Sequence, residues 1–325
     1  MEPENQQVLR SKLLKVLTPF EVDLYLPLIE QIQILKAEKN AVILVHNYQT
    51  PEIYHGIADF VGDSLGLSKK AAEVNCERIV FCGVHFMAET AKLLNPSRKV
   101  LIPDLEAGCS LSESITVEDV RALKAKYPGV PVVCYINTTA AIKAESDICC
   151  TSANSARIVK SLKTDKVIFI PDEYLGKNVA RETGVTMITH PGRCMVHETF
   201  TKEDIAVYRK QFPGIEVIAH PECSPDVVQT ADYAGSTSGM IDHIRQSKSK
   251  KIMLVTECSL SDNIRSLFPE KDFQVPCTIC PHMKKITLEK VLKSLQKDIY
   301  EILIPEAIAA KARQAVERML TIPSP

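Results

Sequence analysis

The sequence predicts an α/β protein of three repeated, small, doubly wound α/β/α units with parallel sheets, in a pseudo-threefold arrangement around a central active site. Three observations point there. Apolar, β-branched runs such as Val42–His46 and Val167–Ile170 are short and continuous, the texture of strands covered on both faces in a parallel sheet. Amphipathic stretches of helical length separate them, so strand and helix alternate along the chain. The first strands of three successive sets end at His46, Tyr135 and His220, 89 and 85 residues apart. That period is too long for a solenoid and suits a triplicated unit.

In chain order, the first forty residues read as helices, with Leu24, Leu28, Ile32 and Leu35 at helical spacing and Ile29 on the same face. Nine strands follow in sets of three: Val42–His46, Ile79–Gly83 and Val100–Pro103; Val132–Tyr135, Val167–Ile170 and Val185–Thr189; Val217–His220, Asp232–Gly235 and Lys251–Thr256. Helices are expected between them over Ala71–Asn75, Phe86–Leu94, Ala153–Leu162, Val227–Ala231 and Met240–Ser247. Pro128-Gly129 and Pro213-Gly214 punctuate the chain before the fourth and seventh strands. From about Thr287 to Leu320 the pattern returns to helix. The expected division is N-terminal helices over 1–40 and units over 41–125, 126–210 and 211–298, with C-terminal helices over 299–325 packed on the first unit.

Composition narrows the function. The 325 residues are 45% hydrophobic and 24% charged, a globular balance that excludes disorder. A net charge of −1 leaves no basic surplus for a phosphate backbone, so no nucleic acid is expected. No apolar run approaches the ~18 residues of a membrane span, and Met1-Glu2-Pro3-Glu4-Asn5 is polar and acidic. Neither membrane anchor nor signal peptide is expected, and the expected location is cytoplasmic. Eleven cysteines, an odd count in a large chain without an export signal, disfavour a disulfide framework.

In doubly wound units, ligands sit outside the C-terminal ends of the strands. Those ends are rich in chemistry here: His46-Asn47-Tyr48, Tyr135-Ile136-Asn137 and His220-Pro221-Glu222 after the first strands, and Gly235-Ser236-Thr237-Ser238-Gly239 after the eighth. Glu222 has the chemistry of a general base that neighbouring His220 would serve by orienting substrate. Gly235–Gly239 has Thr237 where a nucleophile elbow needs its serine, and reads as an anion-binding turn at a helix start. Asp63-Ser64 and Thr151-Ser152 read first as helix caps, with hydroxyls able to donate to a carboxylate. Cys109, Cys194 and Cys280 are 85 and 86 residues apart, one in each unit. Three thiolates converging on one axis suit a soft metal centre with an open coordination position; the competing reading is three unrelated buried cysteines. In the third unit, Cys258, which closely follows its strand, and Cys277, in a C-x-x-C with Cys280, compete for the same role, and Cys223 is a weaker candidate. Dinucleotide, P-loop and ferredoxin motifs are missing.

Together these residues resemble the quinolinate synthase family. The resemblance rests on His46-Asn47-Tyr48-Gln49, Ile57-Ala58-Asp59-Phe60-Val61-Gly62-Asp63-Ser64, Phe86-Met87-Ala88-Glu89-Thr90-Ala91-Lys92 and Ala107-Gly108-Cys109. It continues through Tyr135-Ile136-Asn137, Cys150-Thr151-Ser152-Ala153-Asn154, Cys194-Met195-Val196-His197, His220-Pro221-Glu222, Gly235-Ser236-Thr237 and Cys280-Pro281-His282-Met283-Lys284-Lys285. It implies a [4Fe–4S] cluster held by Cys109, Cys194 and Cys280 as a Lewis acid. It also implies condensation of iminoaspartate with dihydroxyacetone phosphate to quinolinate, losing phosphate and water, in NAD biosynthesis. Glu222, Tyr48 and His220 would be catalytic; His46, Ser64, Tyr135, Asn137, Ser152, Ser236 and Thr237 would bind substrate. Transient contact with an aspartate-oxidising enzyme and with cluster-assembly proteins is expected. Cys277 would be a neighbour able to close a disulfide with Cys280 when the cluster is lost.

Overall fold

The computed structural model describes residues 3–322. Two helices lead in, α1 (Pro3–Leu13) and α2 (Pro19–Glu38). Thr18 starts α2 with a capping box, its hydroxyl accepting from the Glu21 amide while the Glu21 carboxylate accepts from the Thr18 amide. The first unit is β1 (Ala41–His46), α3 (Pro51–Gly56), β2 (Phe60–Gly62), α4 (Ser64–Glu73), β3 (Arg78–Cys82), α5 (His85–Leu94) and β4 (Lys99–Leu101). Helices α6 (Ser110–Glu113) and α7 (Val117–Lys126) lead to the second unit. That unit is β5 (Val132–Tyr135), α8 (Ala140–Ala144), β6 (Ile148–Cys150), α9 (Ser155–Ser161), β7 (Lys166–Ile170), α10 (Glu173–Thr183) and β8 (Thr186–Thr189). After α11 (Lys202–Gln211) the third unit runs β9 (Glu216–Ala219), α12 (Pro225–Thr230), β10 (Tyr233–Ala234), α13 (Thr237–Gln246), β11 (Lys251–Val255), α14 (Ser259–Ile264) and β12 (Asp272–Gln274). Helices α15 (Leu288–Lys297) and α16 (Glu306–Thr321) follow.

The three sheets are four-stranded and wholly parallel, with the same order: β2-β1-β3-β4, β6-β5-β7-β8 and β10-β9-β11-β12. In each, the first strand has its successor on one side and the third strand on the other. The crevice outside that reversal is where such sheets bind ligands. One device fixes the register in all three. Asp59, Asp147 and Asp232, each just before its second strand, accept the amides of Ile43, Val132 and Val217 on the first strand at 2.8, 2.7 and 2.8 Å. The first strands are buried along most of their length, as their continuous apolar sequences require. Gly129 and Gly214, after the punctuating prolines, take φ of +77° and +79°, a left-handed turn that a side chain would strain.

The triplication matches the sequence reading, but each unit holds four strands where three were expected. Strands β2, β6 and β12 escaped notice because Phe60-Val61-Gly62, Ile148-Cys149-Cys150 and Asp272-Phe273-Gln274 each hold at most one β-branched residue and form no run of the kind that marks the longer strands. Cys149-Cys150, which reads as a turn, lies in β6. One consequence is a slip of frame in the third unit. Tyr233–Ala234 is the second strand of its sheet, equivalent to β2 and β6, and Lys251–Val255 is the third. The Gly235 turn is therefore the counterpart of Gly62-Asp63-Ser64 and Cys150-Thr151-Ser152. Helix α15 packs on α2 and β3, and α16 lies on α8 and β6 of the second unit and on α5 of the first. Among the described residues no helix is long and apolar enough to cross a membrane.

Candidate active site

One cavity is walled by equivalent strand ends from all three units. The first unit contributes His46, Tyr48, Ser64 and Cys109; the second Tyr135, Asn137, Ser152 and Cys194; the third His220, Glu222, Thr237 and Cys280. Of the residues singled out in the sequence, Ser236 lies elsewhere. It N-caps α13, donates to Asp63 Oδ2 at 2.8 Å and lines a neighbouring cavity.

His46 and His220 are held alike. The Nδ1 of His46 accepts the Tyr48 amide at 3.1 Å, and the Nδ1 of His220 accepts the Glu222 amide at 3.3 Å. Each ring then carries its hydrogen on Nε2, a neutral donor. Burial pushes the pKa of His46 down to about 4 and that of His220 to about 3, so both rings are uncharged at neutral pH.

Glu222, 4% exposed, is the hub. Its Oε1 accepts a short hydrogen bond from the Tyr135 hydroxyl and one from Asn137 Nδ2 at 3.3 Å; its Oε2 lies 2.7 Å from His197 Nδ1. Burial alone would raise its pKa. The donors and imidazoles around it outweigh burial and hold the carboxyl well below the usual range, as an anion. Burial and this charge push the Tyr48 and Tyr135 phenols up, so both stay protonated.

The cysteines lie on three copies of one loop. Each follows the last strand of its sheet, and each stands seven residues before a threonine that N-caps the next helix: Cys109 and Thr116, Cys194 and Thr201, Cys280 and Thr287. The residue before each threonine, Ile115, Phe200 or Ile286, is buried and anchors the loop. The repeated interval identifies Cys280 as the counterpart of Cys109 and Cys194. Cys258 follows the third strand of its sheet, so its resemblance in position to Cys109 was a product of the frame slip. It is paired in a disulfide with Cys277, the residue that the C-x-x-C offers to Cys280 as a neighbour, and Cys280 is a free thiol. The wholly buried Glu257 ties down the same loop, accepting the Cys280 amide at 3.4 Å and pairing with Lys284 at 2.9 Å. Lys284 also donates to the Tyr48 carbonyl at 2.6 Å, joining this loop to the first unit.

His197 is the main residue that sequence reasoning passed over. It lies inside a quoted motif but was given no role. It stacks on His220 with ring centroids 4.5 Å apart, and its Nδ1 is 3.2 Å from Cys194 Sγ. Cys194, His197 and Glu222 bring ligand-type atoms within 4.8 Å of one another, the only such trio among the described residues. Its position three residues after a repeated cysteine, inside the C-x₆-T interval, was the available signal. Met283 holds the same place after Cys280, while Glu257, which also lines the cavity, had no such signal.

A triplicated α/β frame that turns one thiol per unit toward a cavity holding a hydrogen-bonded carboxylate has the form of an enzyme with a soft-metal centre. Comparison with known proteins gives the family. The family model described as quinolinate synthetase A protein matches residues 30–321. The chain is 55% identical over 314 residues to a quinolinate synthase of Sinorhizobium fredii, covering 97% of this chain and 88% of that one. It is 57% identical over 294 residues to one of Xylella fastidiosa, covering 90% and 87%, and 53% identical over 312 residues to one of Caulobacter vibrioides, covering 95% and 85%. The chain belongs to the quinolinate synthetase A family.

Proposed function

We propose that this chain is a quinolinate synthase of NAD biosynthesis, condensing iminoaspartate with dihydroxyacetone phosphate to quinolinate with loss of phosphate and water. We propose further that Cys109, Cys194 and Cys280 hold a [4Fe–4S] cluster. The observation that carries the reading is the meeting of three equivalent cysteine loops with Glu222 at one cavity. Both substrates are anions, and the wall offers neutral donors: His46 and His220 through Nε2, and the hydroxyls of Ser64, Ser152 and Thr237. Glu222, present as an anion, would take and return protons during isomerisation and dehydration, with Tyr135 and Asn137 fixing its Oε1. Tyr48 and His220 complete the catalytic group.

The donor set fits a cluster. Burial pushes the Cys109 thiol up to about 12 and raises Cys194 and Cys280 as well, and coordination would hold all three as thiolates. Two thiolates on one zinc, each at about 2.3 Å, lie within about 4.6 Å of one another. The three cysteines do not form so compact a group, which suits a centre of several atoms. When bound, the cluster's open iron would supply Lewis-acid polarisation of a substrate oxygen. A single-ion reading has one observation in its favour, the compact Cys194, His197 and Glu222 trio. Supply of iminoaspartate by an aspartate-oxidising enzyme, and of the cluster by assembly proteins, belongs to the same proposal.

The test is anaerobic reconstitution with iron and sulfide, then metal analysis, the visible spectrum and an assay for quinolinate. About four irons per chain, broad visible absorbance and product formation are expected. A colourless zinc protein that turns over would overturn the cluster; a loaded protein that makes no quinolinate would overturn the function.

A further inference from the structure

The turns that carry Tyr48 and Glu222 have the same build. In each, the amide three residues after the histidine donates to that histidine's carbonyl, Gln49 to His46 at 2.9 Å and Cys223 to His220 at 3.0 Å. The two carbonyls that flank Tyr48 or Glu222 are then held by a single asparagine. Asn263 Nδ2 donates to the Asn47 carbonyl at 3.0 Å and to the Gln49 carbonyl at 2.7 Å. Asn178 Nδ2 donates to the Pro221 carbonyl at 2.9 Å and to the Cys223 carbonyl at 3.0 Å. A side-chain amide nitrogen carries two hydrogens, and both are used, one on each side of the proposed catalytic residue. Because both partners are carbonyls, the nitrogen and not the oxygen must face the turn. The Oδ1 of each asparagine is buried and accepts from none of the described residues. An unpaired buried acceptor is unfavourable, so these side chains are kept for their nitrogens.

Each clamp crosses a boundary between units. Asn263 lies in α14 of the third unit and holds the first; Asn178 lies in α10 of the second and holds the third. The two helices are equivalents, each following the third strand of its sheet. Their counterpart in the first unit, α5, also reaches the next unit, where Glu89 accepts the Ala140 amide at 2.9 Å. The turn of the second unit, Tyr135-Ile136-Asn137-Thr138, is held differently. Its Ile136 carbonyl accepts the Thr138 amide at 2.8 Å, and its Thr138 carbonyl accepts from the buried Lys143 of the same unit. The asparagine clamp therefore goes with Tyr48 and Glu222 and not with the repeat as such. Neither asparagine lines the cavity.

Resting on the function proposed above, we infer that Asn178 and Asn263 are positioning residues, which hold Glu222 and Tyr48 at the cavity from the neighbouring unit. Asn178 acts only through the Glu222 turn and Asn263 only through the Tyr48 turn.

The experiment crosses each asparagine with each catalytic side chain. Asn178→Leu and Asn263→Leu keep the branched shape and remove both hydrogen bonds. Each is made alone, with Glu222→Gln and with Tyr48→Phe, and all are reconstituted. Each single leucine variant should lower kcat by up to about 10²-fold, the scale of a reacting group displaced by about 1 Å, with iron content and visible spectrum as in wild type. In the Glu222→Gln background Asn178→Leu should cost less than about twofold more, while in Tyr48→Phe it should cost its full factor; Asn263→Leu should behave the other way round. A general loss of packing would lower every background alike. Where a leucine variant does not fold, Asn178→Ala or Asn263→Ala enters the same cross with the same expectations. A wild-type kcat in the single variants, loss of iron from them, or full losses in both backgrounds alike would each overturn the inference. If loaded wild type makes no quinolinate, the functional reading falls and this inference with it.

Discussion

At the scale of single residues, the chemistry rests on which groups are charged. Glu222 is an anion in a buried wall because donors meet both of its oxygens, and His46 and His220 are neutral because burial disfavours their charged forms. Glu222→Gln keeps the shape and removes the proton acceptor. Turnover of the reconstituted variant should fall by about 10²–10⁴-fold while iron content stays at the wild-type level. Near wild-type quinolinate formation would remove Glu222 from the role of base. The His-x-Tyr and His-x-Glu pairs were legible in the sequence because strand ends are where doubly wound units bind ligands. Glu257 was not. Its partners Cys280 and Lys284 lie 23 and 27 residues on in the chain, and only tertiary packing brings them together.

At the scale of elements, the three cysteine loops carry the strongest internal repeat. The even cysteine spacing was legible, but it left Cys277 in contention because that residue lies three positions from Cys280, and Cys258 because the third unit was read one strand out of frame. Asp272-Phe273-Gln274 holds a single apolar residue and gives no run to register, and the missing β12 left Lys251–Val255 in the last position. With β12 in place, Cys280 has the same distance to its helix cap as the other two. Cys280→Ser should abolish the visible absorbance after anaerobic reconstitution. Cys258→Ser and Cys277→Ser should retain it with about four irons, as a site with three protein thiolates elsewhere requires. Loss of colour in either of these two, and not in Cys280→Ser, would reverse the assignment.

At the scale of the whole molecule, stability should depend on pH through the buried imidazoles. His46 and His220 titrate at about 4 and about 3 in the folded chain, against an ordinary value of 6.5. As pH falls below about 6.5 the unfolded chain binds protons that the folded chain refuses. Stability should then drop by up to about 1.4 kcal/mol per pH unit for each histidine, until the folded rings also protonate. Urea midpoints measured between pH 7 and pH 4 should fall with acidification. His46→Asn and His220→Asn, which keep an acceptor near Nδ1 but cannot titrate, should each flatten the slope. An unchanged slope in both would show that other groups govern acid stability.

The C-x₆-T interval has a consequence for how the chain can vary in length. Surface loops ordinarily accept inserted or deleted residues with little harm, because neither end is fixed to anything beyond the loop. Here one end of each loop presents a thiol and the other begins a helix anchored by a buried side chain, so adding or removing one residue shifts the thiol by about 3.3 Å of extended chain. The helix cannot follow without leaving its cap and burying the wrong face. These three intervals should therefore be intolerant of single-residue insertions that neighbouring turns absorb. The defect should appear as a folded protein unable to hold metal, because the frame is secured separately by the aspartates at the first strands.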